Sequence, residues 1–241
     1  MCAFVKLALI RKIHTFVGNR ILREKTHSIL LSRRPHFSMQ PTSRLPLKGI
    51  VFDMDGTLTK DGAIDFADMR KRANIPEGSD ILKYIHSLPA KEREHALKII
   101  DEVEVEGHRH QQLMPGMLEL MQYCDSRGIK RGLLTRNTMK SVDVFLAMSG
   151  CWFDKIVTRD FVPTKPNPEP LLHICKHWDF HPQNVMMVGD WVDDIMCGKE
   201  AGASTCLVIT PKGEKFVPLA DYSVCSLPEI QVLMEKSFLL P

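Results

Sequence analysis

Carboxylates, a lysine and a threonine each follow a short apolar stretch of this chain. They are Asp53 and Asp55 after Ile50-Val51-Phe52, Thr135 after Gly132-Leu133-Leu134, Lys165 in the segment after Lys155-Ile156-Val157, and Asp190 to Asp194 after Val185-Met186-Met187-Val188. If these stretches are parallel strands, the polar residues that follow them meet at one edge of a sheet. Three or more carboxylates in one cleft repel each other unless a cation neutralises them, and oxygen ligands beside a phosphate suit Mg²⁺.

The lysine and the threonine in this set suit a phosphate ligand. A lysine beside a carboxylate nucleophile lowers the repulsion that an incoming phosphate dianion meets. The hydroxyl of Thr135 and the backbone N–H groups after it can hold phosphate oxygens. Thr135 could also cap the N-terminus of the next helix, and the two roles are compatible.

The elements that must position these residues alternate between strands and helices from residue 48 onward. Strands are predicted at 50–52, 131–134, 155–157, 185–188, 206–209 and 222–224. Continuous apolar strands separated by amphipathic helices are typical of a parallel sheet covered on both faces. The sequence therefore predicts an α/β fold with a doubly wound parallel sheet, a Rossmann-like three-layer sandwich.

Three helices between these strands have clear boundary residues. Pro115 through Arg127 predicts a helix with Pro115 at its first position and Gly128 just beyond its end. Pro168 is expected to open another helix that turns Leu171, Ile174, Cys175 and Trp178 inward. A third helix is expected to run to Ala201 and to end at Gly202.

The segment 60–113 interrupts this alternation. It is rich in charge, contains no strand-like run, and places Ala96, Ile100 and Val103 on one helical face. We predict that residues 60–113 form a small helical insertion in a core made of residues 45–59 and 114–241. The basic run 70–72 is either a solvated face or a source of one contact to an anionic substrate.

The first 44 residues differ in charge from the rest of the chain. They hold nine basic residues and one acid, which gives +8, whereas the remainder holds 23 basic and 28 acidic residues, which gives −5. A basic stretch with spaced apolar residues is typical of an organelle transit peptide. Mitochondrion is favoured over chloroplast because serine is scarce before residue 28, and Ser38 is a plausible cleavage position. The alternative is a disordered basic tail on a cytoplasmic protein.

Composition excludes several other classes of protein. The chain has 241 residues, 44% hydrophobic and 25% charged, as expected for a globular protein. Its seven cysteines include no CxxC pair, which argues against a zinc ribbon or a disulfide scaffold. The apolar runs are too short to span a membrane, and the mildly acidic body does not favour nucleic acid. The sequence leaves the oligomeric state open.

Four motifs resemble those of the haloacid dehalogenase-like (HAD) hydrolases. They are Asp53-Met54-Asp55-Gly56-Thr57-Leu58-Thr59, Leu133-Leu134-Thr135-Arg136-Asn137, Lys165-Pro166, and Gly189-Asp190-Trp191-Val192-Asp193-Asp194. They occur in the family's order over residues 48–226, and segment 60–113 lies where the family places its small helical C1 cap. Trp191 and Val192 depart from the small polar residues that are common in the fourth motif.

The resemblance implies a role for each residue at the carboxyl edge of the sheet. Asp53 would be the nucleophile that becomes an aspartyl phosphate, and Asp55 would act as general acid and then general base. Gly56 would let the chain turn sharply after Asp55, and Thr57 would fix that turn. Lys165 would pair with Asp53 and with the phosphate.

The resemblance also implies that the remaining motif residues bind the substrate and the metal. Thr135, with the backbone of Arg136 and Asn137, would bind the phosphoryl group. Mg²⁺ would be held by the carboxylates of Asp53 and Asp190 and by the backbone carbonyl of Asp55. Asp194 would act from outside the metal's immediate ligands, for instance by orienting Lys165.

The expected function is thus a Mg²⁺-dependent phosphatase that acts on a small phosphorylated metabolite. Two alternatives stay open: a phosphoglucomutase-like phosphotransferase, which uses the same residues, and a non-catalytic HAD-like binding protein. A true dehalogenase needs no second carboxylate, so Asp55 argues against it. His173 and His177 have i,i+4 spacing, but no third metal ligand accompanies them, and an exposed helix face is the favoured interpretation.

Overall fold

A computed structural model describes residues 44–60, 62, 64–108 and 110–241, with only the backbone of His108. Its six strands form one parallel sheet in the order β3-β2-β1-β4-β5-β6. The strands are β1 Gly49–Phe52, β2 Lys130–Leu134, β3 Lys155–Val157, β4 Val185–Gly189, β5 Ser204–Val208 and β6 Tyr222–Val224. The predicted doubly wound parallel sheet is confirmed.

Eight α-helices connect or follow these strands in the described part of the chain. They are α1 Phe66–Arg72, α2 Ile81–Ser87, α3 Ala90–His108, α4 Met117–Ser126, α5 Met139–Ser149, α6 Glu169–Trp178, α7 Val192–Ala201 and α8 Leu227–Ser237. Short 3-10 helices lie at Pro182–Asn184 and Glu214–Leu219. Gly202 ends α7 as the sequence predicts.

Side chains alternate across the sheet and build a hydrophobic core on each face. In β1, Ile50 and Phe52 point into a core shared with α4, α5 and α8, whereas Val51 points into a core shared with α6 and α7. All four residues of β1 are fully buried, so both faces of this central strand are covered. These two cores give the three layers of the fold.

The chain order places a crevice beside β1. After β1 the chain adds β2 and β3 on one side, and then returns to add β4 and β5 on the other. The carboxyl ends of β1 and β4 therefore lie where the strand order reverses, and this is where ligands bind in open α/β sheets.

The helical insertion, residues 60–113, carries α1, α2 and α3 and has a hydrophobic core of its own. Met69, Ile85 and Ile100 lie at the centre of this core, and Ala96 and Val103 are buried on the same face of α3. The chain enters and leaves side by side, because Lys60 N–H donates to the Gln112 carbonyl at 2.9 Å and Thr59 bridges to Leu113. The insertion is helical, as predicted, and its effect on substrate choice stays a prediction.

Helix α4 begins later than the sequence pattern predicts. Pro115 is not its first residue, because Gly116 caps it with a φ of 81° and the helix starts at Met117. A Cβ atom at Gly116 would lie 2.5 Å from Cγ of Pro228, so the close approach of α8 requires glycine here. Strand β5 also differs slightly from the predicted strand 206–209, because it runs from Ser204 to Val208. Its backbone pairs with β4 from Ser204 onward, and this pairing does not depend on apolar side chains.

The six described cysteines are free, and four of them are buried: Cys124, Cys175, Cys197 and Cys206. Burial raises the pKa of the Cys206 thiol to about 12, so this group stays protonated and poorly nucleophilic at neutral pH. Among the described helices, none has the length and hydrophobicity needed to cross a bilayer. The predicted transit peptide lies outside the described residues, apart from Arg44.

Candidate active site

Lys165 lies at the centre of the polar residues that follow the strands. Its Nζ donates to Asp53 Oδ1 at 2.6 Å, to Asp194 Oδ1 at 2.6 Å and to the Leu134 carbonyl at 2.8 Å. The lysine is 4% exposed, and these three acceptors match the three donors of an ammonium group. The structure thus brings together residues from β1, β2, the loop after β3 and α7, as the strand ends predict.

Burial and the neighbouring charges set the protonation of this pair. Burial raises the pKa of Asp53 well above its usual range, Lys165 opposes this, and the carboxylates of Asp194 and Asp190 add to the rise. Burial lowers the pKa of Lys165, but Asp194 and Asp53 outweigh it and hold that pKa above its usual value. The lysine is therefore a permanent cation, and an additional positive charge would favour the ionised form of Asp53.

Three carboxylates converge beside this lysine. One oxygen atom from each of Asp53, Asp190 and Asp194 lies within 4.8 Å of the others. Gly56 adopts a φ of 79°, and a Cβ atom there would lie 2.4 Å from Asp190 Oδ2, so only glycine admits this carboxylate. Hard oxygen donors with more negative charge than one lysine neutralises fit a divalent cation such as Mg²⁺.

The carboxylate of Asp55 is held by three side chains. Asn137 Nδ2 donates to its Oδ2 at 2.5 Å, while Gln111 Nε2 at 3.0 Å and Thr59 Oγ1 at 3.2 Å donate to its Oδ1. Thr59 also donates to the Met54 carbonyl and so stabilises the turn after β1. The turn role that the resemblance implies for Thr57 belongs to Thr59, since the buried Thr57 hydroxyl has no partner among the described residues.

The loop after β2 places Thr135 in the site, and the alternative role of helix cap belongs to Thr138 instead. Thr135 is buried, and its Oγ1 accepts the Asn137 N–H at 3.1 Å. The N-cap of α5 is Thr138, whose hydroxyl accepts the Ser141 N–H at 3.3 Å. The Asn137 N–H, expected to help bind phosphate, is therefore engaged within the loop in this structure.

Arg136 and Arg159 connect the core to the helical insertion. Arg136 donates to Asp80 on α2's N-terminus at 2.6 Å and to Asp193 on α7 at 3.1 Å. Arg159, two residues beyond β3, donates to Asp101 and Glu104 of α3, each at 2.8 Å. Both arginines come from the core and both bind carboxylates of the insertion.

The pKa values of Asp80 and Glu104 depart from their usual range in opposite directions. Burial would raise the pKa of Asp80, but the Lys83 N–H and Arg136 outweigh it and hold that pKa below its usual value. Burial raises the pKa of Glu104 to about 7, although Arg159 opposes the shift. Glu104 thus titrates near neutral pH.

The site opens into a cavity of about 620 Å³ between the core and the insertion. Asp53, Thr135, Lys165 and Asp190 form its floor, and apolar side chains of the insertion cover the opposite wall: Phe66, Met69, Ile81, Leu82 and Ile100. Trp191 is 39% exposed at the cavity and packs edge-on against Phe216, with ring centroids 4.9 Å apart. Trp191 therefore borders the space available to a substrate.

Other candidate residues have different environments. From the basic run, Arg70 borders the cavity but donates to the carbonyls of Pro76 and Ser79, and Arg72 pairs with Asp68 and Glu102. His173 and His177 are exposed on α6, and among the described residues they belong to no metal-binding cluster.

The fold and these motif residues define a HAD-type hydrolase site. The sequence profile of the haloacid dehalogenase-like hydrolase family matches residues 47–202. This chain therefore belongs to the haloacid dehalogenase-like hydrolases and is an enzyme of that family.

Individual relatives agree with this assignment. The chain is 42% identical over 235 residues to a haloacid dehalogenase-like hydrolase domain-containing protein of Arabidopsis thaliana, covering 87% of this chain and 95% of the relative. It is 28% identical over 195 residues to the pyrophosphatase PpaX of Bacillus cereus, covering 72% and 88% of the two chains. A haloacid dehalogenase-like family hydrolase from Streptococcus pneumoniae shares the fold, with a TM-score of 0.62 at 19% identity over 78% of this chain and 98% of that one.

Sequence reasoning missed three residues that line the cavity, Asp80, Glu104 and Arg159, and two that hold the Asp55 carboxylate, Thr59 and Gln111. Thr59 lies within the first motif and could have been found as a polar residue four positions from Asp55. The others lie in the insertion or in a loop, where no strand end or spacing marks them. Their roles depend on how the insertion packs against the core.

Proposed function

We propose that this enzyme is a Mg²⁺-dependent phosphatase that hydrolyses a small phosphate monoester through an aspartyl phosphate on Asp53. The observation that supports this most strongly is the placement of Asp53 between Lys165 and the carboxylates of Asp190 and Asp194. A nucleophilic carboxylate, a cation for the phosphate and a cation-binding acidic cluster are the groups that phosphoryl transfer to aspartate requires.

The metal would be held by the carboxylates of Asp53 and Asp190 and by the backbone carbonyl of Asp55. Mg²⁺ bound there supplies positive charge that offsets the repulsion between the phosphate and these carboxylates. Asp194 accepts both from Lys165 and from the Trp191 N–H at 3.1 Å, so its carboxylate is fixed in position. We assign to Asp194 the task of orienting Lys165 toward Asp53.

In the first step a carboxylate oxygen of Asp53 attacks the phosphorus atom and the ester P–O bond breaks. Asp55, in its protonated form, gives its proton to the leaving oxygen. Thr135 and the backbone after it bind the oxygens of the transferring group, and the positive charge of Lys165 offsets part of their negative charge. Because Asn137, Gln111 and Thr59 fix the Asp55 carboxyl group, the proton is delivered from a defined position.

In the second step water hydrolyses the aspartyl phosphate. The Asp55 carboxylate now takes a proton from the water, whose oxygen forms the new bond to phosphorus. The bond between phosphorus and Asp53 breaks, which releases phosphate and regenerates both carboxyl groups. The insertion covers the cavity and limits the access of bulk water to the intermediate.

Pyrophosphate is an alternative substrate, and a sugar hydroxyl group is an alternative acceptor of the phosphoryl group. The relatives named PpaX are pyrophosphatases, but a cavity of about 620 Å³ with an apolar wall is larger than pyrophosphate needs and favours an organic ester. A phosphotransferase of the phosphoglucomutase type would pass the phosphoryl group to a sugar hydroxyl instead of water. Release of free phosphate, measured against formation of an isomerised sugar phosphate, separates the two reactions.

The test is a phosphatase assay on purified wild type and on Asp53→Asn. The substitution keeps the size of the side chain but removes the nucleophile, so we expect at least a ~10³-fold loss of kcat, about 4 kcal/mol. Asp143→Asn, an exposed acid on α5 away from the cavity, is the matched control and should retain full activity. Excess EDTA should abolish wild-type activity, and added Mg²⁺ should restore it.

Asp55→Asn refines the same assay. It should be severe for esters with poor leaving groups and milder for an aryl phosphate, whose leaving group needs no proton. Even with the aryl phosphate, Asp55→Asn should remain slower than the wild type, because Asp55 is still needed to activate the water in the second step. Substantial phosphatase activity of Asp53→Asn, in a preparation free of contaminating enzymes, would contradict the mechanism. Metal-independent halide release from a 2-haloacid would indicate a dehalogenase instead.

We also propose that residues 1–44 direct the enzyme to an organelle, with mitochondrion favoured. The support is their charge of +8, nine basic residues against one acid. A fusion of residues 1–44 to a fluorescent protein should be imported, and purely cytosolic fluorescence would contradict the proposal. A variant that begins at Pro41 should fold and keep its activity.

A further inference from the structure

One carboxylate in the cavity has an oxygen atom without a hydrogen-bond partner. Glu104 on α3 is 5% exposed, and its Oε1 accepts from Arg159 Nη1 at 2.8 Å. Its Oε2 is shielded from solvent and accepts no hydrogen bond from the described residues. A buried acceptor without a donor is unfavourable, so a ligand that brings a donor to this oxygen gains binding energy.

Glu104 belongs to the same cavity as the groups that handle the phosphate. Glu104 lines it together with Asp53, Thr135 and Lys165. Asp55 lines this cavity as well, so Glu104 and the group assigned to proton transfer border the same space. A molecule whose phosphate rests beside Asp53 and whose remainder occupies the cavity therefore lies next to Glu104.

The charges around the cavity indicate what kind of molecule this is. Seven carboxylates line the cavity, namely Asp53, Asp55, Asp80, Glu104, Asp190, Asp193 and Asp194, against five cations, namely Arg70, Arg136, Arg159, Lys165 and Lys212. Arg136, Arg159 and Lys165 each pair with two carboxylates. A second anionic group of the substrate beside Glu104 would be repelled by its carboxylate, whereas an uncharged hydroxyl group can donate a hydrogen bond to it.

We propose, resting on the phosphatase function above, that Glu104 determines substrate specificity by accepting a hydrogen bond from a hydroxyl group of the substrate. The substrate is then a hydroxylated phosphate monoester, of the polyol or sugar type, with no anionic group at the position that meets Glu104. Arg159 is the positioning residue that holds Glu104 through its Oε1 and leaves Oε2 for the ligand. A site built to bind a hydroxyl group discriminates against the analogue that lacks it, because the acceptor is then left unpaired.

The experiment compares polyol monophosphates of increasing chain length with the alkyl monophosphates of the same length. For the wild type, we expect kcat/KM to be at least ~10-fold higher for the polyol ester at the length that reaches Glu104. In Glu104→Gln this ratio should fall by at least ~10-fold, because an amide replaces one acceptor oxygen with a donor. Glu94→Gln, an exposed residue of the same helix paired with Lys98, should keep the wild-type ratio.

Several outcomes would overturn the proposal. They are a wild-type ratio near one at every chain length, an unchanged ratio in Glu104→Gln, or a higher kcat/KM for esters with a second phosphate or carboxylate in place of the hydroxyl group. If Glu104→Gln does not fold, Glu104→Asp keeps the charge that Arg159 requires but withdraws the carboxylate, and the ratio should fall in the same way.

The design separates this proposal from the proposed function. Hydrolysis of an aryl phosphate by the wild type, without any preference for polyol esters, would overturn the role of Glu104 and leave the phosphatase function standing. No hydrolysis of any monoester in the presence of Mg²⁺ would instead contradict the phosphatase function itself.

Discussion

The floor and the opposite wall of the cavity are built in different ways. On the floor, Lys165 joins Asp53 and Asp194. Asp53 directly follows β1, Asp194 lies in the first turn of α7, and Lys165 lies in the loop after β3. On the wall, Asp80 and Glu104 belong to the helical insertion and are held by Arg136 and Arg159 of the core. The floor carries groups suited to the reaction, and the wall carries groups suited to recognition. Substitutions in the floor should therefore slow every ester, whereas those in the wall should change the preference between esters.

The largest effect is expected at Lys165. Lys165→Met removes the cation that faces the phosphate and leaves Asp53 and Asp194 buried without their partner. We expect at least a ~10³-fold loss of kcat on every ester and a decrease of about 3–5 kcal/mol in the free energy of unfolding. Steady-state kinetics and urea unfolding measure the two effects.

Lys98→Met is the control for Lys165→Met, because Lys98 pairs with Glu94 on the exposed face of α3. It should change the free energy of unfolding by less than about 1 kcal/mol and leave the kinetics unaffected. If Lys165→Met slowed only one class of ester, the distinction between floor and wall would be wrong.

The next effect is a dependence of stability on pH that originates in the wall. The pKa of Glu104 is about 7 in the folded protein, against 4.5 for the ordinary side chain. Because the folded-state pKa is raised, the contribution of this carboxyl group is fully present below pH 4.5 and is lost as the pH rises through 7.

Glu104→Gln tests this pH dependence because it removes the titration. The free energy of unfolding of the wild type, minus that of Glu104→Gln, should fall by up to about 3 kcal/mol between pH 4.5 and pH 8. Urea unfolding of both proteins across this range measures it. A difference that stays constant with pH would show that Glu104 has the same pKa in the folded and unfolded protein. Water would then reach this carboxyl group more than its burial indicates.

A smaller effect is expected at Arg136. Arg136→Lys keeps the positive charge but loses the fork that reaches Asp80 and Asp193 together. We expect a ~10-fold fall in kcat/KM for a good ester, about 1.4 kcal/mol, mainly through KM. A fall as large as that of Lys165→Met, and carried by kcat, would place Arg136 with the floor.

The floor could be predicted from the sequence and the wall could not, for a physical reason. Asp53, Thr135 and Asp190 follow buried strands, and parallel pairing brings such positions together wherever the strands themselves are recognised. Glu104 and Arg159 meet only because α3 packs against the loop after β3, and neither the periodicity of α3 nor the position of Arg159 encodes that contact.

One helix start was predicted wrongly, and one choice between two threonines was left open. Pro115 has the right residue type for the start of α4, but the approach of Pro228 from α8 requires the left-handed Gly116 and delays the helix. Thr135 and Thr138 both precede an apolar helical pattern, and only the structure shows that Thr138 caps α5 while Thr135 faces Lys165's cavity. Long-range packing decides the start of α4, and hydrogen bonds within the loop after β2 decide which threonine caps α5.

The most direct test of the account is to locate the phosphoryl group on the enzyme. Wild type mixed with a monoester and Mg²⁺ is quenched in acid during turnover, digested, and analysed by mass spectrometry. The account predicts one added phosphoryl group on the peptide that contains Asp53, and no such adduct in Asp53→Asn. A phosphoryl group on any other residue, or rapid turnover that never phosphorylates Asp53, would contradict it.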